Sequence, residues 1–255
     1  MAVYEVGDKA SFKRINYENW HTNTDFWLQG KMRHLHDIWE PTGEVLADIL
    51  LQTSTVGTGR LIDFGCGEGW LVRLLIEKQI DISYLGVDFN EYFVEHLSRR
   101  YVGDPRISFR RYDIEDSLPD ELVDAARVAV NIFNFFEVPD ISRAFRNVAL
   151  SLKPGGILLI VSIDPIMQML AVTENRDDLS KVLKAYEANP ETLGYDKDID
   201  VGDSRSGRIY KSLFYSSAFY VRLAKANGLS LFDYREVVKT ANFVPQIYQF
   251  LLFRK

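Results

Sequence analysis

Between Leu61 and Leu75 the chain reads LIDFGCGEGWLVRLL, an apolar strand-like run that passes through three alternating glycines straight into an amphipathic helical pattern. Few segments restrict a fold as strongly. Glycine at 65, 67 and 69 permits positive φ and lets a ligand press against bare backbone. The helix that follows offers unpaired N–H groups and a positive dipole end at the same place. Strand, bare turn and helix in that order form the first half of a βαβ unit and suit a nucleoside-containing ligand. Glycine-rich turns also serve ordinary tight connections, so this turn alone does not decide between ligand and structure.

The dinucleotide fingerprint G-x-G-x-x-G/A requires a small third residue for close helix packing around a pyrophosphate. Counted from Gly65, that position is Trp70, which disfavours an NAD-linked oxidoreductase. Further along, YLGVDF closes on Asp88 and ISFRRYDI ends at Asp113, followed by ARVAVNIFNFFEVPD and by LKPGG at 152–156. The apolar runs place strands near 59–64, 84–88, 107–113, 126–132 and 157–163, with helices near 69–79, 90–102 and 140–152. Taken singly, Asp88 could be an N-cap of the next helix, a role open to Asn90 as well, Asp113 a solvated turn acid, and LKPGG a helix stop and turn.

Together these segments resemble the ordered motifs of the class I S-adenosylmethionine (SAM)-dependent methyltransferases. Asp63, Gly65, Gly67 and Gly69 match motif I as D-x-G-x-G-x-G, with Cys66 inside the turn, and the 126–140 stretch is similar to motif IV. The resemblance implies a doubly wound, mostly parallel seven-stranded α/β sheet whose last strand is antiparallel, with an N-terminal cap and an insertion after strand five. It implies SAM as cofactor, with Asp88 and the adjacent Phe89 at the ribose, Asp113 at the adenine amino group and the Ile114 N–H beside it. LSLFDYREVV and IYQFLLFRK would be the last two strands; KTANFVPQ between them looks too long for a tight turn and is expected to reach over the site.

Composition is compatible with one enzyme-sized domain: 255 residues, 47% apolar and 13% aromatic. A net charge of −6 argues against a nucleic-acid backbone as partner, and Arg99, Arg100, Arg110 and Arg111 read as solvated charges. No apolar run reaches the length of a membrane span and MAVYEVGDKA lacks a secretory pattern, so a cytoplasmic protein with no membrane partner is expected. The one cysteine, Cys66, excludes an internal disulfide and a thiolate metal site, and reads as a small filler under the turn rather than a nucleophile.

The flanks are read by position. Residues 1–40 form the expected cap, 41–164 the cofactor core, 165–212 a substrate lid, and 213–255 the closing helix and strands, with Gly228 as a helix C-cap. INYENWHTNTDFWLQGKMRHLHDIWE is rich in aromatics but poor in periodicity until a helix begins at Pro41. Its Tyr17, Trp20, Phe26 and Trp27 are candidates to wall the acceptor pocket, or to pin the segment to the domain surface. His34 and His36, two residues apart, cannot chelate as an i, i+4 helical pair. The lid would be helical, in keeping with the family.

Methyl transfer asks mainly for alignment of an acceptor with the sulfonium, plus a base where a proton must leave. Glu137, in the motif IV region, and His21, in the cap, are the catalytic candidates. Asn131 and Asn134, ending the fourth strand, are polar candidates toward cofactor and acceptor, or turn residues. Asp164 before Pro165 could orient an acceptor or simply form a turn. The fourth strand, VAVNIFN, lacks the terminal acid of the magnesium-dependent branch, so metal-independent transfer to O or N of a small molecule is expected, in specialised metabolism. A tRNA or protein methyltransferase and a non-catalytic SAM-binding regulatory subunit are the alternatives, and homodimerisation is left open.

Overall fold

The computed structural model describes residues 3–4, 9–22, 24, 28, 33–53, 59–171, 176–189, 191–199, 208–241 and 244–255. Its elements follow in the order β1 (Val3–Tyr4), α1 (Lys9–Thr22), α2 (Arg33–Thr53), β2 (Arg60–Phe64), α3 (Trp70–Glu77), β3 (Ser83–Asp88), α4 (Glu91–Arg100), β4 (Ile107–Arg111), β5 (Ala126–Ile132), α5 (Ile141–Ser151) and β6 (Leu152–Ile163). Then come α6 (Pro165–Ala171), α7 (Arg176–Ala188), β7 (Thr192–Ile199), β8 (Arg208–Tyr215), α8 (Ser217–Ala226), β9 (Ser230–Ala241) and β10 (Val244–Arg254).

Seven strands form the main sheet in the order β4-β3-β2-β5-β6-β10-β9, with β2 to β6 parallel and β10 antiparallel to both neighbours. Successive strand residues enter opposite cores: Ile62, Ala129 and Leu158 pack with Phe145 of α5 and Tyr220 of α8, whereas Leu61, Val128 and Leu159 pack with Leu46 of α2 and Leu71 of α3. A sheet covered on both faces explains why its strands read as continuous apolar runs. The helices meet it through single faces, as in α5, where Ile141, Ala144, Phe145 and Val148 are buried at helical spacing.

The turn chemistry follows the sequence. Asn90 caps α4 by accepting the Tyr92 N–H at 3.0 Å, and Gly228, at φ 75°, ends α8 with its N–H on the Lys225 carbonyl. At LKPGG the pairing jumps from Ala126↔Leu152 to Val128↔Ile157, so the segment loops out of β6 rather than preceding it.

Three expectations are corrected. The helix expected at Pro41 begins at Arg33, because an internal proline forfeits a single backbone bond while the following turns bury Leu46, Ala47, Ile49 and Leu50. KTANFVPQ is mostly strand: Ala241 pairs with Val244, leaving only positions 242 and 243 to connect β9 to β10. The insertion after β6 is not wholly helical, since β7 and β8 pair antiparallel and join β1 in a second, three-stranded sheet.

Candidate active site

The parallel strands deliver their C-terminal ends to one cleft, the place where open α/β sheets bind ligands. The cleft spans about 1480 Å³, counted out through its open mouth. One lobe is built by the glycine turn and the ends of β3 and β4; the other by residues 132–139 after β5, with α1 lying across both.

Gly67, at φ 50°, carries the first lobe. A Cβ built there meets nothing within 4 Å, so its bare backbone faces the cleft, and its N–H donates to Asp88 Oδ2 at 2.9 Å. Gly65 also lines the cleft, and a Cβ on it would fall 2.5 Å from Asn134 Cγ. Gly69 does not: a Cβ there would meet the Leu97 side chain at 2.6 Å, so this glycine allows α4 to pack against the turn. Cys66 lines the floor, and burial pushes its thiol well above the ordinary range, consistent with a filler that stays protonated.

Asp88 accepts the Asn90 N–H on Oδ1 at 2.9 Å as well as that of Gly67. Burial pushes its carboxyl up to about 6 against the pull of those two N–H groups. Asp63, expected beside the cofactor, lies outside the cleft. The Tyr84 hydroxyl donates to its Oδ2 at 2.7 Å, and burial pushes the carboxyl up to about 7. Its strand position points the side chain under the turn rather than over it.

At the end of β4, Asp113 accepts the Tyr17 hydroxyl at 2.5 Å and the Lys13 ammonium at 2.8 Å on Oδ2, and the Glu115 N–H at 2.9 Å on Oδ1. Burial alone would raise this carboxyl, but those donors hold it below the usual carboxylate range. Lys13 also reaches Glu115 at 2.9 Å, and the Tyr17 ring stacks on Phe89 with centroids 4.1 Å apart. Ile114 lines the cleft beside them.

In the second lobe, Phe133 adopts φ 53°, a strained conformation for a bulky residue, and fits no regular strand. Its N–H donates to the Val161 carbonyl, after which 135–137 form a short 3₁₀ turn. That turn brings Glu137 to the cleft, where Oε2 accepts the Trp20 indole N–H at 2.5 Å. Asn134 lines the same lobe. Asn131 is fully buried instead: its amide donates to the Phe64 carbonyl and to Asn134, and accepts the Phe135 N–H. It braces the turn and does not face ligand.

Sequence reading named Tyr17 and Trp20 of α1 as candidate walls of the pocket, and both line the cleft; it missed the helix that carries them and its Lys13 and Asn16. Lys13, Asn16, Tyr17 and Trp20 follow helical spacing and all line the cleft. Asn16 clips the helix down by exchanging two 2.8 Å bonds with the Lys211 backbone and donating to the Glu137 carbonyl. The signal was a mixed polar and aromatic helical face rather than an apolar one. Glu68, Trp70, Glu115 and Phe136 complete the missed lining residues named here.

Two candidates fall elsewhere. His21 is exposed and outside the lining, with Nδ1 on the Tyr17 carbonyl 3.0 Å away, because it stands one step round α1 from the cleft-facing arc. Asp164 caps α6, accepting the Met167 N–H on Oδ1 at 2.9 Å, and its Oδ2 accepts from Gln249; the turn-forming alternative holds. Phe26 and Trp27 lie outside the described residues, as do the side chains of His34 and His36.

A model of the methyltransferase domain matches residues 61–156, the stretch from β2 into β6. YqeM of Bacillus subtilis (strain 168), whose name places it among methyltransferases, is 24% identical over 176 residues, 67% of this chain and 64% of its own length. The trans-aconitate 2-methyltransferase of Rhizobium rhizogenes (strain K84 / ATCC BAA-868) is 30% identical over 197 residues, 71% of this chain and 73% of that protein. Among solved structures, a SAM-dependent methyltransferase from Mesorhizobium loti superimposes with a TM-score of 0.58 at 19% identity, covering 82% of this chain and 96% of that one. With this sheet order, this glycine turn and these relatives, the chain belongs to the class I SAM-dependent methyltransferases.

Proposed function

We propose that the protein moves the methyl group of SAM to an oxygen or nitrogen of a small molecule, without a metal. The observation that carries this is the second lobe of the cleft, where Glu137, held by Trp20, stands among aromatic walls at the end of β5. An aromatic-walled cleft of that kind suits a small acceptor, and the net charge of −6 gives little purchase on RNA. The name of the trans-aconitate relative supports a small-molecule acceptor, and the absence of a described helix long and apolar enough to cross a membrane is compatible with work in the cytoplasm.

The residues present fit the cofactor. Open space above Gly67 would admit the nucleoside, Asp88 would hold the ribose hydroxyls, and Asp113 with the Ile114 N–H would face the adenine edge. Phe89 and Tyr17, stacked on each other, would wall one side of the base. When bound, SAM supplies an electrophilic methyl group already activated by the sulfonium. The protein then has three tasks. Trp20, Phe133 and Phe136 exclude water, Asn134 and Glu137 orient the acceptor, and Glu137 takes the acceptor's proton. Trp70 at the cleft argues against a dinucleotide, whose fingerprint needs a small residue there.

Calorimetric titration with S-adenosylhomocysteine, with NAD as control, tests the cofactor assignment, and labelled SAM with hydroxylated and amino acceptors tests turnover. Micromolar binding of S-adenosylhomocysteine alone is expected. Binding of NAD in its place would overturn the reading.

A further inference from the structure

Capping is only part of what Asn90 does. The residue is fully buried, and its Oδ1 accepts the Tyr92 N–H at 3.0 Å at the start of α4. Ser, Thr and Asp cap a helix as well, so the cap alone does not call for an amide. The amide nitrogen has another use. It donates to the Trp20 carbonyl at 3.1 Å and to the Thr24 hydroxyl at 3.0 Å, in and just past the last turn of α1. Thr24 is buried too, and its hydroxyl donates to the same Trp20 carbonyl at 2.8 Å. Carbonyls in the last turn of a helix have no partner within it, so these donors hold the end of α1 in place.

The same residue holds an acid of the cleft. The Asn90 main-chain N–H donates to Asp88 Oδ1 at 2.9 Å, while the Gly67 N–H takes Oδ2. A chain of bonded residues therefore runs from Asp88 to Asn90, from the Asn90 amide to the Trp20 carbonyl, and from the Trp20 indole to Glu137 in the second lobe. The Trp20 ring also meets Phe93 of α4 edge-on, with centroids 6.1 Å apart.

We propose that Asn90 is a positioning residue for the cofactor: it seats the Asp88 carboxylate and the end of α1 against each other, so that ligand at Asp88 and docking of α1 strengthen one another. This rests on the methyltransferase reading above and deepens it by naming how the two lobes are joined. Other anchors of α1, Lys13 and Tyr17 on Asp113 and Asn16 on the Lys211 backbone, lie earlier in the helix. Losing the Asn90 donors therefore loosens the last turn, and with it Trp20, which lines the cleft. Such coupling is reciprocal: ligand steadies the helix end by the factor with which a steady helix end raises ligand affinity.

The test uses the full chain, N90S and T24V, read by amide hydrogen exchange and by calorimetric titration with S-adenosylhomocysteine. N90S keeps a capping oxygen and the main-chain N–H on Asp88 but has no amide to reach α1; T24V removes the partner hydroxyl and leaves Asn90 and the cleft lining untouched. In both variants exchange across 9–22 should quicken and S-adenosylhomocysteine affinity should fall, each by about tenfold, while 91–100 keeps its protection and shows that the fold is intact. In the unmodified chain S-adenosylhomocysteine should slow exchange across 9–22. Equal loss of protection in α4 would reduce Asn90 to a helix cap, and unchanged exchange in α1 would show that its amide holds nothing; either overturns the proposal. Faster exchange in α1 beside unchanged affinity would overturn the coupling alone. Failure of the unmodified chain to bind S-adenosylhomocysteine would overturn the cofactor reading and the coupling with it.

Discussion

The Tyr17 hydroxyl donates to Asp113 Oδ2 across 2.5 Å, joining the N-terminal helix to the end of β4 at the floor of the cleft. The bond has a half-buried anion as acceptor, and Lys13 shares the same oxygen. Tyr17→Phe keeps the stack on Phe89 and deletes only this link. It should lower stability by about 2 kcal/mol, read from urea denaturation, and raise the titration midpoint of Asp113.

In the proposed cofactor site Asp88 acts as the carboxylate, and burial pushes that carboxyl up to about 6. S-adenosylhomocysteine affinity should be flat above neutrality and weaken as pH falls through about 6, by up to tenfold per unit, in titrations across that range. Asp88→Ala should cost on the order of 2–3 kcal/mol of binding at pH 8.

Stability runs the other way. Asp63 and Asp88 titrate near 7 and 6 when folded, against 3.8 ordinarily, so the folded protein holds protons that the unfolded chain has released. These two groups therefore make stability fall as pH rises from about 4 to about 7. Asp63→Asn, which can still accept from Tyr84, should flatten that slope in denaturation curves taken at each pH.

Gly67 and Gly69 should separate ligand effects from packing effects. A side chain on Gly67 projects into open cleft, so Gly67→Val should abolish S-adenosylhomocysteine binding with a strain cost of roughly 1–2 kcal/mol for the left-handed backbone. Gly69→Val drives carbon into Leu97 and should chiefly lower the melting temperature. Thermal melts with and without S-adenosylhomocysteine distinguish the two.

Trp20→Phe preserves an aromatic wall and removes the donor to Glu137. Methyl transfer should slow about tenfold or more while S-adenosylhomocysteine affinity holds, measured by single-turnover rates beside calorimetry.

The sheet was legible because its signals are local and redundant. The apolar runs at β2, β3 and β5 sit between turn residues, and the observed bounds differ from the expected ones by a residue or less. Side-chain direction was less legible. Asp63 and Asp88 both belong to ligand-type motifs, but which faces the cleft depends on strand register, which sets Tyr84 beside Leu61, two residues along from Asp63, where its hydroxyl reaches the Asp63 carboxylate. Asn131 and Asn134 look alike in sequence; the left-handed Phe133 between them turns one inward and the other to the cleft. Tyr17 and Trp20 were legible as cap aromatics, but the helix that carries them was not, and Lys13 and Asn16 went unread, because the side of α1 that meets the cleft shows no hydrophobic stripe.

The place of β10 sets an order for the birth of the molecule. β9 emerges from the ribosome before β10, but among the described strands its one main-chain partner in the sheet is β10, and β6 lacks its second neighbour until the same strand arrives. Chain order and spatial order are thus reversed at this edge. Until β10 is made, neither β9 nor the free side of β6 has this strand to pair with, so one strand completes both borders of the sheet at this edge.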